Sequence, residues 1–156
     1  MRRGFKCRKD VLKTLKHEYD AIVTSDYKGD FLEAVKYFDD IAEKRLRSVL
    51  DRFYSEARSR DQAWKTCKGT MYEYAVFRCI QQAISYDEKL SHRFKVMMGE
   101  NVLLRYKDQI IIKNWSEIFP DVDILIVERD TESVRVIISC KTSLRERLTE
   151  TAFWKR

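Results

Sequence analysis

The chain of 156 residues is long enough for one domain, or for a compact core with a helical extension. Its 44% hydrophobic residues can form a core, its 36% charged residues indicate a soluble protein, and no apolar run approaches the roughly 20 residues that a membrane span needs. The net charge of +6 permits an anionic partner without requiring one.

The N-terminus and the cysteines indicate the compartment and the redox state of the protein. The first residues, Met1-Arg2-Arg3, lack the apolar stretch of a signal peptide, so we expect the protein in the cytoplasm. The four cysteines lie far apart and form no CxxC pair, so the spacing indicates neither a zinc site nor a disulfide framework. We expect all four to be reduced.

The first part of the chain has the periodicity of helices. Apolar residues recur every three to four positions over residues 8–23, which predicts an amphipathic helix. A second helical run begins at Gly29-Asp30 and continues to about residue 65, as one helix or two. We therefore expect residues 1–67 to form an all-helical subdomain, and residues 68–156 to form a second domain.

A further helix is predicted at the start of this second domain. Lys68-Gly69-Thr70 has the composition of a helix break followed by a cap, and residues 71–83 are apolar around most of the helix circumference. The helix should be buried, and its single acid is Glu73. A buried carboxylate is costly unless it is paired or bound to metal. The alternative is a partly exposed Glu73 in the first turn, stabilised by the helix dipole.

The remaining segments alternate between strand and helix. Residues 93–98 predict a strand or a short helix, and residues 102–106 and 109–112 predict strands. Valine and isoleucine dominate two further strands at 124–128 and 134–139, with a turn at 129–133, and residues 144–153 predict a helix. This order indicates the α/β class, as a mixed α+β core with a sheet flanked by helices.

Charged residues stand at the same end of the last two predicted strands. Asp121 and Asp123 precede one strand and share a face, because side chains at i and i+2 of an extended chain point the same way. Lys141 follows the partner strand. Carboxylates that hold Mg²⁺ beside a lysine that orients water are what phosphodiester hydrolysis requires. The alternative is a surface hairpin with solvated charges at its ends.

The pattern resembles the PD-(D/E)XK nuclease superfamily. The resemblance rests on an acid on a helix, on Pro120-Asp121 and on a strand that ends in x-Lys141. Ser139 stands where the superfamily has Asp or Glu, and this Ser-x-Lys form is similar to that of type II restriction endonucleases that recognise CCGG sites, including the BsaWI-like enzymes. The resemblance covers about residues 68–155 and implies that residues 68–156 form a nuclease core.

The resemblance also implies roles for individual residues. Asp121 would bridge to the metal, with Asp123 as the alternative, Lys141 would position the attacking water, and Glu73 would complete or support the metal site.

The segment after Lys141 would recognise bases and would supply the remaining carboxylate of the metal site. Arg145 and Arg147 would pair with guanine, and Glu146 would accept from cytosine. The remaining acid, Glu150, would replace the missing carboxylate, unless the chain is a fragment truncated at its C-terminus, which is the interpretation that we favour.

The resemblance implies a Mg²⁺-dependent restriction endonuclease that cuts double-stranded DNA at a palindromic CCGG-type site as a homodimer. Two alternatives remain open. One is a structure-selective repair or junction nuclease, against which the alternating Arg145-Glu146-Arg147 argues, because a shape-selective enzyme mainly needs phosphate contacts. The other is a catalytically silent DNA-binding module, which Ser139 favours.

Overall fold

The computed structural model describes residues 6–113, 117–118 and 121–141. The chain divides into two compact units, Met1–Ser91 and His92–Arg156, called here the helical unit and the sheet unit. The domain boundary between residues 67 and 68, which the sequence suggests, stays a prediction. In the described part of the chain, no helix is both long enough and apolar enough to span a membrane.

The helical unit is built from helices of very different lengths. Its elements are α1 (Lys9–Asp26), α2 (Phe31–Lys36), α3 (Phe38–Ile41), a π-helical turn (Ala42–Leu46), a 3-10 helix (Arg47–Arg52), α4 (Ala57–Ser85) and α5 (Glu88–Arg93), whose last turn enters the sheet unit. Asp30 caps α2 by accepting a hydrogen bond from the backbone N–H of Glu33 at 3.1 Å. The predicted helix at 8–23 is confirmed as α1.

The core of the helical unit follows from the spacing of apolar residues on its two long helices. One face of α1 buries Val11, Leu15, Tyr19, Ile22 and Val23. The first two thirds of α4 bury Trp64, Cys67, Met71 and Ala75, which recur every three to four residues and join the same core. Full burial of one such large apolar side chain contributes about 1.5–3 kcal/mol.

Two predictions about α4 are wrong. The helix does not break at Gly69 but continues from Ala57 to Ser85. A glycine inside a helix costs only about 1 kcal/mol relative to alanine, and the core contacts of the flanking buried residues outweigh that cost. The segment 71–83 is also not buried around its circumference, because Ala75 is its last buried residue.

A disulfide joins the start of the chain to α4. Cys7 and Cys67 are bonded, with 4.8 Å between their Cα atoms and a sequence separation of 60 residues. The prediction that these two cysteines are reduced is therefore wrong in this structure. Cys79 and Cys140 are half-buried and are not disulfide-bonded in the described structure.

The sheet unit combines short helices with antiparallel strands. Its elements after α5 are β1 (Phe94–Met98), α6 (Glu100–Arg105), α7 (Lys107–Ile110), β2 (Ile112–Lys113), β3 (Glu117–Ile118), β4 (Ile124–Glu128) and β5 (Val134–Ile138). In the described residues one sheet has the order β1-β4-β5, and β2 and β3 form a separate pair. The predicted mixed α+β class is confirmed, and so are the strands at 124–128 and 134–139.

The central strand β4 is the most buried, with Ile124, Leu125 and Val127 fully covered. Leu125 and Val127 pack with Tyr106 and Ile110 from the segment that forms α6 and α7. That segment was predicted as strands at 102–106 and 109–112, which is wrong for residues 102–110. The predicted helix at 144–153 lies outside the described residues.

Candidate active site

The charged residues singled out by the sequence meet where the β4–β5 hairpin begins and ends, which we call its open end (residues 121–123 and 139–141). Ile124 pairs with Ile138, and the N–H of Asp123 donates to the carbonyl oxygen of Ile138 at 3.0 Å. Continued for three residues on each strand, this antiparallel register places Asp121 opposite Lys141. The register of the hairpin therefore determines which residues face each other at the open end.

Asp121 and Lys141 form an ion pair across the open end. The Lys141 ammonium donates to Oδ2 of Asp121. The lysine side chain is 15% exposed, whereas the aspartate is 55% exposed. An ion pair with one solvent-exposed partner contributes at most about 1 kcal/mol to stability, so the fold does not depend on it. The arrangement presents a solvent-accessible carboxylate with a cation held against it.

Asp123 has a different environment from Asp121. Its Oδ2 accepts a hydrogen bond from the backbone N–H of Cys140 at 2.6 Å, in a partly buried position. A charge-assisted bond to a main-chain amide fixes the backbone that carries Lys141. The two carboxylates, which the sequence leaves as alternatives for one role, thus make different contacts.

The donor chemistry of this end suits a hard divalent cation. Mg²⁺ takes oxygen ligands, commonly one or two carboxylates, and keeps several waters. Asp121 and Asp123 are both carboxylates within this short segment. In the parts of the chain that the structure describes, no cluster of three or more His, Cys, Asp or Glu side chains is placed to hold a metal.

The other predicted site residues lie outside the part of the sheet unit that the structure describes. Glu73 is half-buried in the interior of α4 and belongs to the helical unit, so it lies in neither the first turn nor the sheet unit. Glu150, Arg145, Glu146 and Arg147 lie outside the described residues. Their roles remain predictions.

Sequence reasoning missed a polar network at the opposite end of the hairpin, called here the turn end (residues 128–134). Glu132 accepts hydrogen bonds from the Lys95 ammonium at 2.8 Å and from the Tyr106 hydroxyl. The Lys95 hydrogen bond, followed by that of Tyr106, lowers the pKa of Glu132. The backbone of Glu132 has a φ of 54°, a conformation that favours glycine, so these contacts hold a strained turn.

The side chain of Gln109 completes the turn-end network from α7. Its Nε2 donates to the carbonyl oxygen of Glu132 at 2.8 Å, and its Oε1 accepts from the N–H of Val134 at 2.7 Å. Both backbone groups flank the turn, so one amide side chain satisfies a donor and an acceptor there. No local motif in the sequence signals this contact, which spans about 25 residues.

A buried acid stabilises the same end of the sheet. Glu128, the last residue of β4, is 9% exposed and accepts a hydrogen bond from Arg135 Nε at 2.7 Å. Arg93 Nε lies 3.7 Å from its other oxygen. Burying a carboxylate is costly unless the charge is paired. The two arginines therefore explain why a buried acid is tolerated at the end of an apolar strand.

The comparisons with known proteins bear on the segment that contains the hairpin. Residues 102–156 match the family model described as BsaWI restriction endonuclease type 2. The chain is 24% identical over 144 residues to "Putative type II restriction enzyme MjaVIP" of Methanocaldococcus jannaschii. That similarity covers 81% of this chain and 64% of the relative, so the chain spans less than two thirds of the relative's length. No solved structure matches.

The family model and the relative both carry the name of a type II restriction enzyme. The matched segment 102–156 includes α7, the β4–β5 hairpin, Asp121 and Lys141. The family-model match therefore falls on the part of the chain where the candidate site lies.

Proposed function

We propose that this chain acts as a Mg²⁺-dependent type II restriction endonuclease that hydrolyses double-stranded DNA at a short palindromic CCGG-type site. The observation that carries the proposal is the Asp121–Lys141 pair at the open end of a hairpin inside the matched segment. The basic net charge of +6 suits a DNA substrate. The site of action is the cytoplasm of a prokaryotic cell.

Asp121, Asp123 and Lys141 have different roles at the open end. Asp121, with its exposed carboxylate, is the main metal ligand, and Asp123 positions Lys141 through the amide of Cys140. Lys141 orients the attacking water and offsets charge on the phosphate. Bound Mg²⁺ supplies Lewis acidity and neutralises the developing negative charge.

The remaining roles follow the family resemblance. Glu73 or Glu150 supplies the carboxylate that Ser139 does not. Arg145 and Arg147 contact guanine, and Glu146 contacts cytosine, through the hydrogen-bonding groups that these bases present in the major groove. A homodimer accounts for cutting both strands, because a palindromic site has the twofold symmetry of the dimer.

End mapping on a long, sequence-diverse DNA duplex tests the proposal. The chain is incubated with the duplex and Mg²⁺, beside a reaction with EDTA, and the ends are sequenced. We expect EDTA-sensitive ends at one CCGG-containing motif. A branched DNA of the same sequence is tested in parallel, and ends at its branch point regardless of sequence would instead support a structure-selective nuclease. Intact DNA in both reactions would contradict cleavage by this chain.

One observation favours a second candidate, a catalytically silent DNA-binding module. Ser139 occupies the strand position that continues the register opposite Asp123, where a carboxylate would complete a pair of acids on one face. DNA binding that is unchanged by Mg²⁺, with no cleavage at any metal concentration, would support this candidate. A Ser139→Asp variant that gains cleavage would show that the missing carboxylate is the reason.

A further inference from the structure

A polar cavity lies in the helical unit, beside the disulfide. Its volume is about 480 Å³, far more than the roughly 30 Å³ that one water occupies in the liquid. Its lining includes cationic and neutral hydrogen-bonding side chains, among them Lys6, Arg8, Lys65, Ser59, Gln62 and Thr66. No acidic residue lines the cavity among the residues that the structure describes.

Two of the cations that line the cavity, Arg8 and Lys65, differ in their partners. Lys65 is exposed, and within the described ranges its ammonium has no carboxylate partner. Asp10 binds Arg8, with Nε at 2.8 Å from Oδ1, and thus offsets one of the three positive charges. At the rim, Glu56 accepts from the Ser59 hydroxyl at 3.4 Å. Lys65 therefore contributes a positive charge to the cavity that no described carboxylate offsets.

Two long helices begin at this cavity. Arg8 directly precedes the 18-residue α1, and Ser59 lies in the first turn of the 29-residue α4. Neither helix has a side-chain cap at its N-cap residue, Arg8 or Glu56. The N-terminal end of a helix carries the positive pole of its dipole, so both backbones add to the field of the cationic side chains.

The disulfide holds the two walls of the cavity together. Cys7 stands between Lys6 and Arg8, and Cys67 lies two residues after Lys65 on α4. The guanidinium of Arg8 also stacks 5.2 Å from the ring centre of Tyr54, which is another wall residue. The disulfide thus ties together the two backbone segments that carry the cations, and the guanidinium of Arg8 is held in place, which lowers the entropic cost of binding an anion.

We propose that this cavity binds a phosphate group, and that in the working protein the group is a backbone phosphate of DNA. The choice of DNA as the source of the phosphate rests on the function proposed above, whereas the phosphate site itself does not. Lysine ammonium groups, hydroxyls and an amide are the groups that proteins use to contact phosphate oxygens. The helical unit thus has a DNA-contacting role separate from the hairpin of the sheet unit.

The test compares two single lysine variants of the full chain. Lys65→Ala removes a cation that lines the cavity, and Lys89→Ala removes an exposed lysine of α5 that does not line it. Alanine suits a helix at both positions, and circular dichroism checks that both variants fold. Binding of a labelled duplex without a CCGG site is measured by fluorescence anisotropy in EDTA, at several salt concentrations.

The expected result is a loss confined to the cavity variant. Lys65→Ala should weaken binding by roughly five- to tenfold, as for one charge-assisted contact, and should reduce the slope of log affinity against log salt by about 0.9. Lys89→Ala should do neither. Glu56→Gln, which removes a negative charge at the rim, should strengthen binding.

Inorganic phosphate, titrated by calorimetry, separates the possible sources of the group. Phosphate binding that is lost in Lys65→Ala, together with unchanged DNA binding, would support the phosphate site and overturn DNA as its source. Equal DNA affinities and salt slopes in all the proteins, with no phosphate binding, would overturn the inference. Because binding is measured in EDTA, a chain that binds as expected but never cleaves would refute only the proposed function.

Discussion

The two ends of the β4–β5 hairpin differ in what their charged residues do. At the turn end, Glu132 and Glu128 are each surrounded by partners from other elements, including Lys95, Tyr106 and Arg93. At the open end, one carboxylate is 55% exposed beside a single well-covered lysine.

The difference shows how a small sheet can hold a reactive site in place. Hydrogen bonds from Lys95 of β1, from Tyr106 and from Gln109 of α7 fix the turn. The register of β4 and β5 then determines where Asp121 and Lys141 lie at the other end of the hairpin. The carboxylates of Glu132 and Glu128 at the turn end are paired with other side chains of the protein. The exposed charge at the open end is accessible to a metal ion or a substrate.

The largest expected effect is on Lys141. Lys141→Ala should lower DNA cleavage by about 10³-fold or more, because general acid–base groups contribute about 10²–10⁴ to rates. DNA binding should change little. Single-turnover cleavage and anisotropy measure the two quantities separately.

Lys95 offers a matched control for that variant, because it is a lysine that pairs with an acid at the turn end. Lys95→Met should lower stability and leave the cleavage rate of the folded protein intact. Similar losses of cleavage in both lysine variants would remove the distinction between the two ends.

A smaller effect is expected at Asp123, where two substitutions separate positioning from metal binding. Asp123→Asn keeps an oxygen that can accept from the Cys140 amide, so cleavage should stay within about tenfold of wild type. Asp123→Ala leaves that amide without its acceptor, a cost of about 1–3 kcal/mol, and should reduce cleavage further. If both variants lose activity equally, Asp123 is a metal ligand and the assignment of the two acids is wrong.

At the turn end, Tyr106→Phe should act on stability alone. The Tyr106 ring is buried, and the substitution removes only the hydroxyl that donates to Glu132. The free energy of unfolding should fall by about 1 kcal/mol, measured by urea denaturation. A loss of cleavage in the folded variant would show that the turn end takes part in the chemistry.

The smallest expected effect is a pH dependence from Glu132. Its pKa is lowered in the folded state, first by the hydrogen bond from Lys95. The resulting stabilisation is complete above the ordinary glutamate pKa of 4.5 and is lost as the pH falls through the lower folded value. Thermal unfolding between pH 6 and 3 should therefore show a shallower decline in Glu132→Gln than in wild type, and parallel curves would contradict this contribution.

Much of the hairpin could be predicted from the sequence, whereas the neighbouring helices could not. The runs at 124–128 and 134–139 are rich in valine and isoleucine and are separated by a polar turn, so their pattern fits only a strand pair. The run at 102–106 is apolar but short, and such a run does not distinguish strand from helix. Burial of Tyr106 and Ile110, four residues apart, shows that helical spacing was present.

The candidate site, like the fold, could be predicted only in part. Asp121 and Lys141 followed from the ends of two adjacent strands, since register alone determines which ends meet. The roles of Asp123 and Glu132 depend on contacts with distant backbone and side-chain groups, which no local pattern encodes. The Cys7–Cys67 bond was missed for the same reason, because 60 residues separate its partners.

The most direct test of the open end as a metal-dependent site is the single-turnover cleavage rate of Asp121→Asn as a function of Mg²⁺ concentration, beside wild type. The substitution preserves the shape of the side chain and removes the charge that would bind the cation. We predict a rate at least about 10²-fold lower, with half-maximal cleavage at a higher Mg²⁺ concentration. Wild-type rates with an unchanged Mg²⁺ dependence would contradict the account.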